Sequence, residues 1–507
     1  MRQLKRLWKT TDLGIQGLGG KCMDYLWTVG EIAEAVKGQV EVLGSDVQGV
    51  EASGISSVSI DSRTLEEDAL YIAIQGVSQD GHAFVRSAFQ AGAKACLVSK
   101  DFELDGSEAA DGSDSSGGIL IRVEDTFKAL QDLGMASRKR CSGKIIAVTG
   151  SAGKTGTKEA LRVMFEKFGR THASVKSFNN HWGVPLTLAR MPRDCEYGIF
   201  EVGMNHAGEI SPLSKLIQPH VALITTVAPA HIGHFANEEE IADAKAEIFD
   251  GLMDGGACLL PADNRHFDRL KQAALEARVQ NVYSFGKASG VDVHLMSGEF
   301  GAERSVVQTD CFGEVIDFSI SIPGEHIALN FLGALGCLKL AGCDVLQAAS
   351  VLSELIAPPG RGVRHQLHLE SDVSSKVLLI DESYNANPPS MDIALKNLSA
   401  LKDITYCRRI AVLGDMLELG AHSVYYHREI APLIASLDVD LVFASGEMMS
   451  HMFNELPQDK KGAFALNSKD LIKPIEESLQ SGDVVMIKGS LGSDMGSIVT
   501  ALCEKYK

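Results

Sequence analysis

Seven residues, TGSAGKT at 149–155, combine two glycines, a lysine and two threonines between the apolar run KIIAV and the amphipathic stretch KEALRVMFEKF. The order is strand, loop, helix. At such a junction the first helical turn has amide N–H groups without intrahelical partners, and its dipole favours an anion. The two glycines let the backbone of Gly150, Ser151, Ala152 and Gly153 curl so that several amides face one phosphate. Lys154 adds a mobile positive charge, the Thr155 hydroxyl can reach Mg2+, and Gly156 follows in the first turn. The spacing departs from G-x-x-x-x-G-K-[ST], because Val148 holds the first position. A plain glycine turn with a surface lysine is the competing reading. The strand before and the helix after favour a site for the terminal phosphate of a nucleoside triphosphate.

Phosphoryl transfer needs more than an anion cradle, since the spreading charge must be met by a metal and by cations. Three later residues have suitable types. Glu201 follows the apolar strand YGIF, at the end where ligands bind in parallel sheets, although strand ends also carry charges by chance. His231, in APAHIGHF, reads by itself as a solvated loop histidine, and His234 competes with it. Lys245, in IADAKAEIF, reads by default as a surface lysine, yet Ile241, Ile248 and Phe249 near its face can draw it inward.

These residues need a scaffold of alternating strands and helices, and the chain supplies one. Its 507 residues suggest three domains at roughly 100–200 residues each. Residues 1–23 read as an extension, 24–105 as a small α/β domain, 106–143 as linker, loop and edge segment, 144–356 as a central domain and 357–507 as a second open α/β domain. YLWTVGEIAEAVKG reads as a helix ended by Gly38, and the polar, acidic stretch at 105–118 as a flexible loop. From 144 onward apolar strands alternate with helices, which predicts an α/β fold with a mostly parallel sheet covered on both faces. Segments between 291 and 322 read as an antiparallel extension, followed by helices at 326–340 and 344–356. APPGRGVRH, at 357–365, has the proline and glycine density of a hinge. Beyond it, helices are expected at 389–401, 421–435, 468–479 and 494–505.

Composition excludes some classes. A formal net charge of -18 argues against nucleic-acid binding, which needs an electropositive surface. Ten scattered cysteines with no C-x-x-C suit reduced thiols and a cytoplasmic location. The basic start lacks an apolar segment behind it, and no run of 18 apolar residues exists, so neither a signal peptide nor membrane insertion is expected.

Five motifs occur in order: TGSAGKT (149–155), NNHWGVPLTL (179–188), EVGMNHAGEI (201–210), AHIGHF (230–235) and AKAEIF (244–249). The set resembles the ATP-dependent Mur ligase superfamily, which builds the peptide stem of peptidoglycan. SIDSRTLEEDALYIAIQGVSQDGHAFVRSAFQAGA (59–93) is similar to that family's UDP-sugar-binding domain. DESYNANPPSMDIAL (381–395) and VLGDMLELG (412–420) resemble the branch whose substrates are UDP-N-acetylmuramoyl-tripeptide and D-alanyl-D-alanine. The resemblance covers roughly residues 25–500 and implies a three-domain architecture with a P-loop central domain. It implies ATP and Mg2+ as cofactors, and a monomer.

The resemblance also implies site residues. Lys154 and Thr155 match the γ-phosphate lysine and the Mg2+ hydroxyl; Glu201 and His231 match metal ligands; Lys245 matches a lysine carbamylated into an anion that bridges toward the metal. That reverses the default reading of Lys245. Asn180 matches a position near phosphate and metal, Asn205 and His206 the acceptor-lining stretch, Asn330 an adenine contact, and Arg361 an ATP-site arginine. Asp381, Tyr384, Asn385 and Asn387 match the motif that closes over ATP and the dipeptide. Ser62, Arg63, Gly81 and His82 match the surroundings of the uridine nucleotide. Three departures stand out: Gly156 replaces a usual Thr or Ser, Leu491 replaces an arginine in KGSLGSDMG, and Gly496 replaces a glutamate. The nearest alternative is the preceding ligase, which adds the third stem residue; its DNPR signature is absent, and YNANP stands instead.

Overall fold

The computed structural model describes residues 25–43, 49–76, 79–104, 118–301, 304–369, 375–401 and 407–506. The expected extension at 1–23 and nearly all of the polar loop at 105–118 lie outside the described residues. The chain divides into two compact units, Met1–Glu124 and Asp125–Lys507.

In the first unit, the predicted helix near residue 30 spans Val29–Val36 and starts on a capping box, with Thr28 and Glu31 satisfying each other's backbone amides. It ends one residue earlier than the glycine suggested. Lys37 takes the left-handed cap position (φ 53°), while Gly38 sits where a Cβ would meet Ile121. The sheet runs Gln39–Val42, Ile119–Val123, Ala93–Ser99, Ala69–Ile72, Val58–Ser59, with only the first pair antiparallel. Ile119–Val123, expected in the linker and edge segment, is therefore an interior strand, as its apolar sequence requires.

The second unit holds two sheets. The larger has nine strands, with Lys144–Thr149 flanked by Tyr197–Glu201 on one side and Val221–Ile224 on the other, all parallel. Thr171–Ala173 lies outside Tyr197–Glu201; Ala257–Pro261 and Asn281–Gly286 continue the other side. The predicted antiparallel extension is the meander Val293–Phe300, Ser305–Cys311, Glu314–Ile320. Ile145, Ile146, Ala147 and Val148 are fully buried because helices cover both faces. One cover is Glu325–Leu340, whose Gly333 and Gly336 let it approach Leu223 and Leu259 closely. The helix expected at 344–356 stops at Ala349 and gives way to a single 3-10 turn, Leu352–Glu354, ahead of Pro358.

The smaller sheet has six strands in the order Val363–His368, Lys376–Glu382, Asp483–Lys488, Arg408–Gly414, Leu441–Ser445, Lys461–Ala465, parallel except for the first. The helix expected at 421–435 is broken into Ser423–Arg428 and Ile430–Ser436. Pro432 has no N–H to give the carbonyl of Arg428, which accounts for the break. Among the described residues no helix is long and apolar enough to cross a membrane, and all nine described cysteines are free thiols.

The amino ends of three strands are tied by His220. Its Nδ1 accepts the Ile145 amide (2.9 Å), its own amide donates to Ile145 O (2.7 Å), and its carbonyl accepts from Ala257 (2.9 Å). Burial, with Arg138 and Lys144 nearby, lowers the imidazole from 6.5 to about 4. An unfolded imidazole takes a proton below about 6.5 and the folded one resists until about 4, so stability present at neutral pH is lost as pH falls through that window. His220→Asn keeps an acceptor that does not titrate. Its melting temperature, followed from pH 7 to pH 4, is expected to fall less than that of the parent chain; equal falls would contradict this account.

Candidate active site

The carboxyl ends of the strands at 144–149, 197–201 and 221–224 meet at one place, the point where successive strands depart to opposite sides. Gly150 (φ 152°) and Gly153 (φ 80°) turn the chain there, and the helix Lys154–Phe165 begins. Neither glycine can carry a side chain: a Cβ on Gly150 would collide with the Thr225 hydroxyl, and one on Gly153 with the Asn330 amide. Ser151 locks the loop to the next strand, donating from its hydroxyl to Ala228 O (2.8 Å) and from its amide to Thr226 O (2.8 Å).

Glu201 is 1% exposed and is held from two sides. Thr155 donates its hydroxyl to Oε2 (2.9 Å) and Asn179 its side-chain amide to Oε1 (2.8 Å). Lys154 turns back to Gly150 O (2.6 Å), and burial and Arg361 lower its pKa while Glu201 opposes them. Lys245 is 2% exposed, and burial followed by the charge of Lys154 holds its pKa well below 10.5. The default reading of Lys245 as a surface residue is thus overturned. It is drawn inward because Ile241, Ile248 and Phe249 beside it are themselves buried. A buried hydroxyl and carboxylate next to two lysines and an arginine fit a Mg2+–triphosphate pair, with oxygen donors for the metal and cations for the phosphates.

His231, in the turn after the strand Val221–Ile224, takes the left-handed conformation (φ 59°), its Nδ1 paired with Glu418 from the C-terminal sheet's loop. Asn205 donates its amide to Glu209 (2.7 Å), and His206 pairs with Glu209 (3.1 Å) while packing its ring 4.4 Å from that of His234. The doublet at 179–180 divides its work. Asn179 holds Glu201, whereas Asn180 accepts the Trp182 and Gly183 amides (3.2 and 2.9 Å) at the start of the helix Gly183–Ala189.

A cavity of about 350 Å3 joins the phosphate loop to the C-terminal domain, with Gly153 and Asn330 on one wall and Arg361, Asn385 and Asn387 on the other. Arg361 lies 4.4 Å above the Tyr384 ring, a cation–π contact that aims the guanidinium. Asp381 accepts the Gly360 amide (3.1 Å) and the Ser383 hydroxyl (2.6 Å), which fixes the turn carrying Arg361. Asn387 caps the helix Pro388–Ala400, and the Asn385 carbonyl accepts from Lys488 (3.0 Å).

In the first unit, Ser62 and Arg63 form a 3-10 turn capped by Asp61, which also takes the Arg63 guanidinium through two bonds (2.9 and 2.8 Å). His82 spends both ring nitrogens internally, on Asp80 (2.6 Å) and the Ser99 amide (2.9 Å). Gly81 approaches Ile74 so closely that a Cβ would lie 2.7 Å from its nitrogen.

Besides Asn179, four residues at the site escaped the sequence reading. Lys158, fully buried, donates to Ser174 O (2.7 Å) and Lys176 O (2.8 Å) and so fixes the loop that presents Asn179; its signal was a lysine one helical turn beyond Lys154. Ser177 links Thr155 and Arg361 (3.4 Å each). Glu418 and Lys488 sat inside recognised motifs without a role.

Family models match the Mur ligase middle domain over residues 148–338, the Mur ligase glutamate ligase domain over 364–491 and the Mur ligase catalytic domain over 54–137. The UDP-N-acetylmuramoyl-tripeptide–D-alanyl-D-alanine ligase of Rickettsia prowazekii is 32% identical over 89% of this chain and 96% of its own. The chain belongs to the Mur ligase family. The Bacillus subtilis ligase of the same name is 32% identical over 94% of this chain and 98% of its own. A crystal structure of MurF from Acinetobacter baumannii superposes with a TM-score of 0.79 at 27% identity, covering 94% of this chain and 99% of that one. This Mur ligase is therefore MurF-like, with the family's three-domain α/β architecture, and is an ATP-dependent amide-bond ligase of peptidoglycan synthesis acting on small molecules.

The two ends of the Mur ligase phosphate loop differ in tolerance. A Cβ on Gly156 meets nothing within 4 Å, and its φ is not in the left-handed region. Gly156→Ala is expected to raise stability by about 0.5–1 kcal/mol through helix propensity, measured by urea denaturation without nucleotide. Gly153→Ala is expected to lower it; the opposite order would contradict the loop geometry.

Proposed function

We propose that the chain joins D-alanyl-D-alanine to UDP-N-acetylmuramoyl-tripeptide, giving the UDP-N-acetylmuramoyl-pentapeptide, ADP and phosphate. The observation that carries the reading is the shared cavity: the phosphate loop and the YNANP segment line the same space. The two relatives named for this reaction match across nearly their whole length, which supports it further.

A carboxylate and an amine do not condense at neutral pH until one carboxylate oxygen becomes a leaving group. In the proposed reaction the terminal carboxylate of the tripeptide attacks the γ-phosphorus, the bond to the β-phosphate oxygen breaks, and an acyl phosphate and ADP result. The D-alanyl-D-alanine amine then attacks the acyl carbon, the carbon–oxygen bond breaks, phosphate leaves, and the nitrogen gives up a proton. The chain's task is positioning and charge neutralisation. Lys154 would release Gly150 O and follow the γ-phosphate, and the amides at 150–156 would hold the β-phosphate. Asn330, Arg361, Asn385 and Asn387 would seat the nucleotide, and Asn205 and His206 the acceptor. Thr155, Glu201, His231 and Lys245 would hold Mg2+, which when bound supplies Lewis-acid charge neutralisation. Asn180 would act by fixing its loop. Asp381 and Tyr384 would act through the turn that carries Arg361, and Ser62, Arg63, Gly81 and His82 would serve the uridine nucleotide.

Lys245 joins that set by a balanced step: its neutral amine, favoured by burial, adds to CO2 to form a carbamate and releases one proton. Lys245→Ala is expected to cut turnover by orders of magnitude with the fold retained, and short carboxylic acids to restore part of it. Unaltered turnover in this variant would remove Lys245 from the mechanism. The reaction itself is tested by ATP consumption with UDP-N-acetylmuramoyl-tripeptide, with and without D-alanyl-D-alanine. Consumption that depends on the dipeptide, with the pentapeptide seen by mass spectrometry, is expected. Equal consumption without the dipeptide, and no pentapeptide, would overturn the proposal.

A further inference from the structure

The loop after the strand Arg408–Gly414 reaches from the C-terminal sheet to the turn after Val221–Ile224, and the two meet backbone to backbone. Gly233 donates its amide to Glu418 O (3.1 Å), and a Cβ on Gly233 would lie 2.6 Å from the nitrogen of Gly420. At this contact two non-glycine residues face each other in the left-handed region, His231 (φ 59°) and Glu418 (φ 64°). Each such conformation is strained for a residue with a side chain and persists only where the surroundings enforce it. Their side chains join through Glu418 Oε2 and His231 Nδ1.

The loop that offers Glu418 is itself fixed. The Met416 amide donates to Nε2 of the fully buried His427 (3.0 Å), and the Leu417 amide to the Ser490 hydroxyl (2.9 Å). Asp415 accepts the Met449 amide (2.7 Å). Around the carboxylate stand His231, His234 and His206, all from the central domain. This is a designed contact between two domains rather than a chance surface pair, which would have neither the backbone bond nor the enforced conformations.

An imidazole that donates Nδ1–H to a carboxylate presents Nε2 as a lone pair, the form in which histidine binds a metal. Resting on the reading of His231 as a metal ligand, we propose that Glu418 is a positioning residue: its carboxylate orients His231, so that docking of the C-terminal domain completes the metal-binding set. The site would then reach full affinity only when the domain that contributes Arg361 and Asn385 to the nucleotide cavity is in place.

The test is a Mn2+ titration of the full chain followed by electron paramagnetic resonance, in the presence of a non-hydrolysable ATP analogue. Parent, Glu418→Ala, Glu418→Gln and His231→Ala chains are compared, with melting curves to confirm folding. Glu418→Ala is expected to weaken Mn2+ binding 10- to 100-fold, with Glu418→Gln between it and the parent, because the amide oxygen still accepts from Nδ1–H. In turnover, the Mg2+ concentration for half-maximal rate should rise more than the maximal rate falls. If His231→Ala weakens Mn2+ and Glu418→Ala does not, the inference about Glu418 fails alone. If His231→Ala leaves Mn2+ binding unchanged, the metal-ligand reading of His231 fails and takes the inference with it.

Discussion

A surplus of positive charge at the ends of three parallel strands governs the molecule's design. Lys154 is favoured as a cation by the buried carboxylate of Glu201 and disfavoured by Arg361, and its own charge in turn disfavours protonation of the buried Lys245. Burying like charges is costly unless an anion answers them. A nucleoside triphosphate with its metal would answer them: the phosphates would meet the cations and the metal the oxygen donors. The glycines at 150 and 153, the inward-drawn helix carrying Lys245 and the bond between Thr155 and Glu201 all follow from the need to hold that arrangement.

The arrangement is supported from behind by residues that touch no phosphate. Lys158 spends its ammonium on the carbonyls of the loop bearing Ser177 and Asn179, and Asn179 in turn fixes Glu201. On the facing domain, Lys488 holds the Asn385 carbonyl, and Ser490 bonds both Leu417 and the Ala386 carbonyl (3.3 Å). One lysine–glycine–serine element thereby links the loop that closes the cavity with the loop that meets His231. Leu491, beside this element, is largely exposed and takes no part in this network.

Much of this was legible in the sequence, and the reasons differ by element. Strands buried on both faces, such as 144–149, show as unbroken apolar runs, and the glycine–lysine–threonine loop behind one of them is a strong local signal. Helix interiors were legible but breaks were not: Pro432 divides a segment whose apolar periodicity continues across it. The short edge strand Lys461–Ala465 gave no signal because two of its five residues are exposed, none is fully buried and one is glycine. At the site, residue types identified Glu201 and Lys154, but Lys245 needed the resemblance, since only the packing of its neighbours removes it from water. The division of roles between Asn179 and Asn180 was beyond reach, because adjacent residues point to opposite partners and only the fold decides which meets the carboxylate. Glu418 was hidden for a different reason: its partner is 187 positions away in the chain.

The central claim is that the amides and lysine of the 149–155 loop, with Glu201 beside them, form the seat of a metal–triphosphate pair. The most direct measurement is a crystal structure with a non-hydrolysable ATP analogue and Mn2+, with the metal located by anomalous scattering. The β- and γ-phosphates are expected against residues 150–155, with the metal peak beside Thr155 and Glu201. A triphosphate bound elsewhere, or a metal peak remote from Glu201, would contradict it.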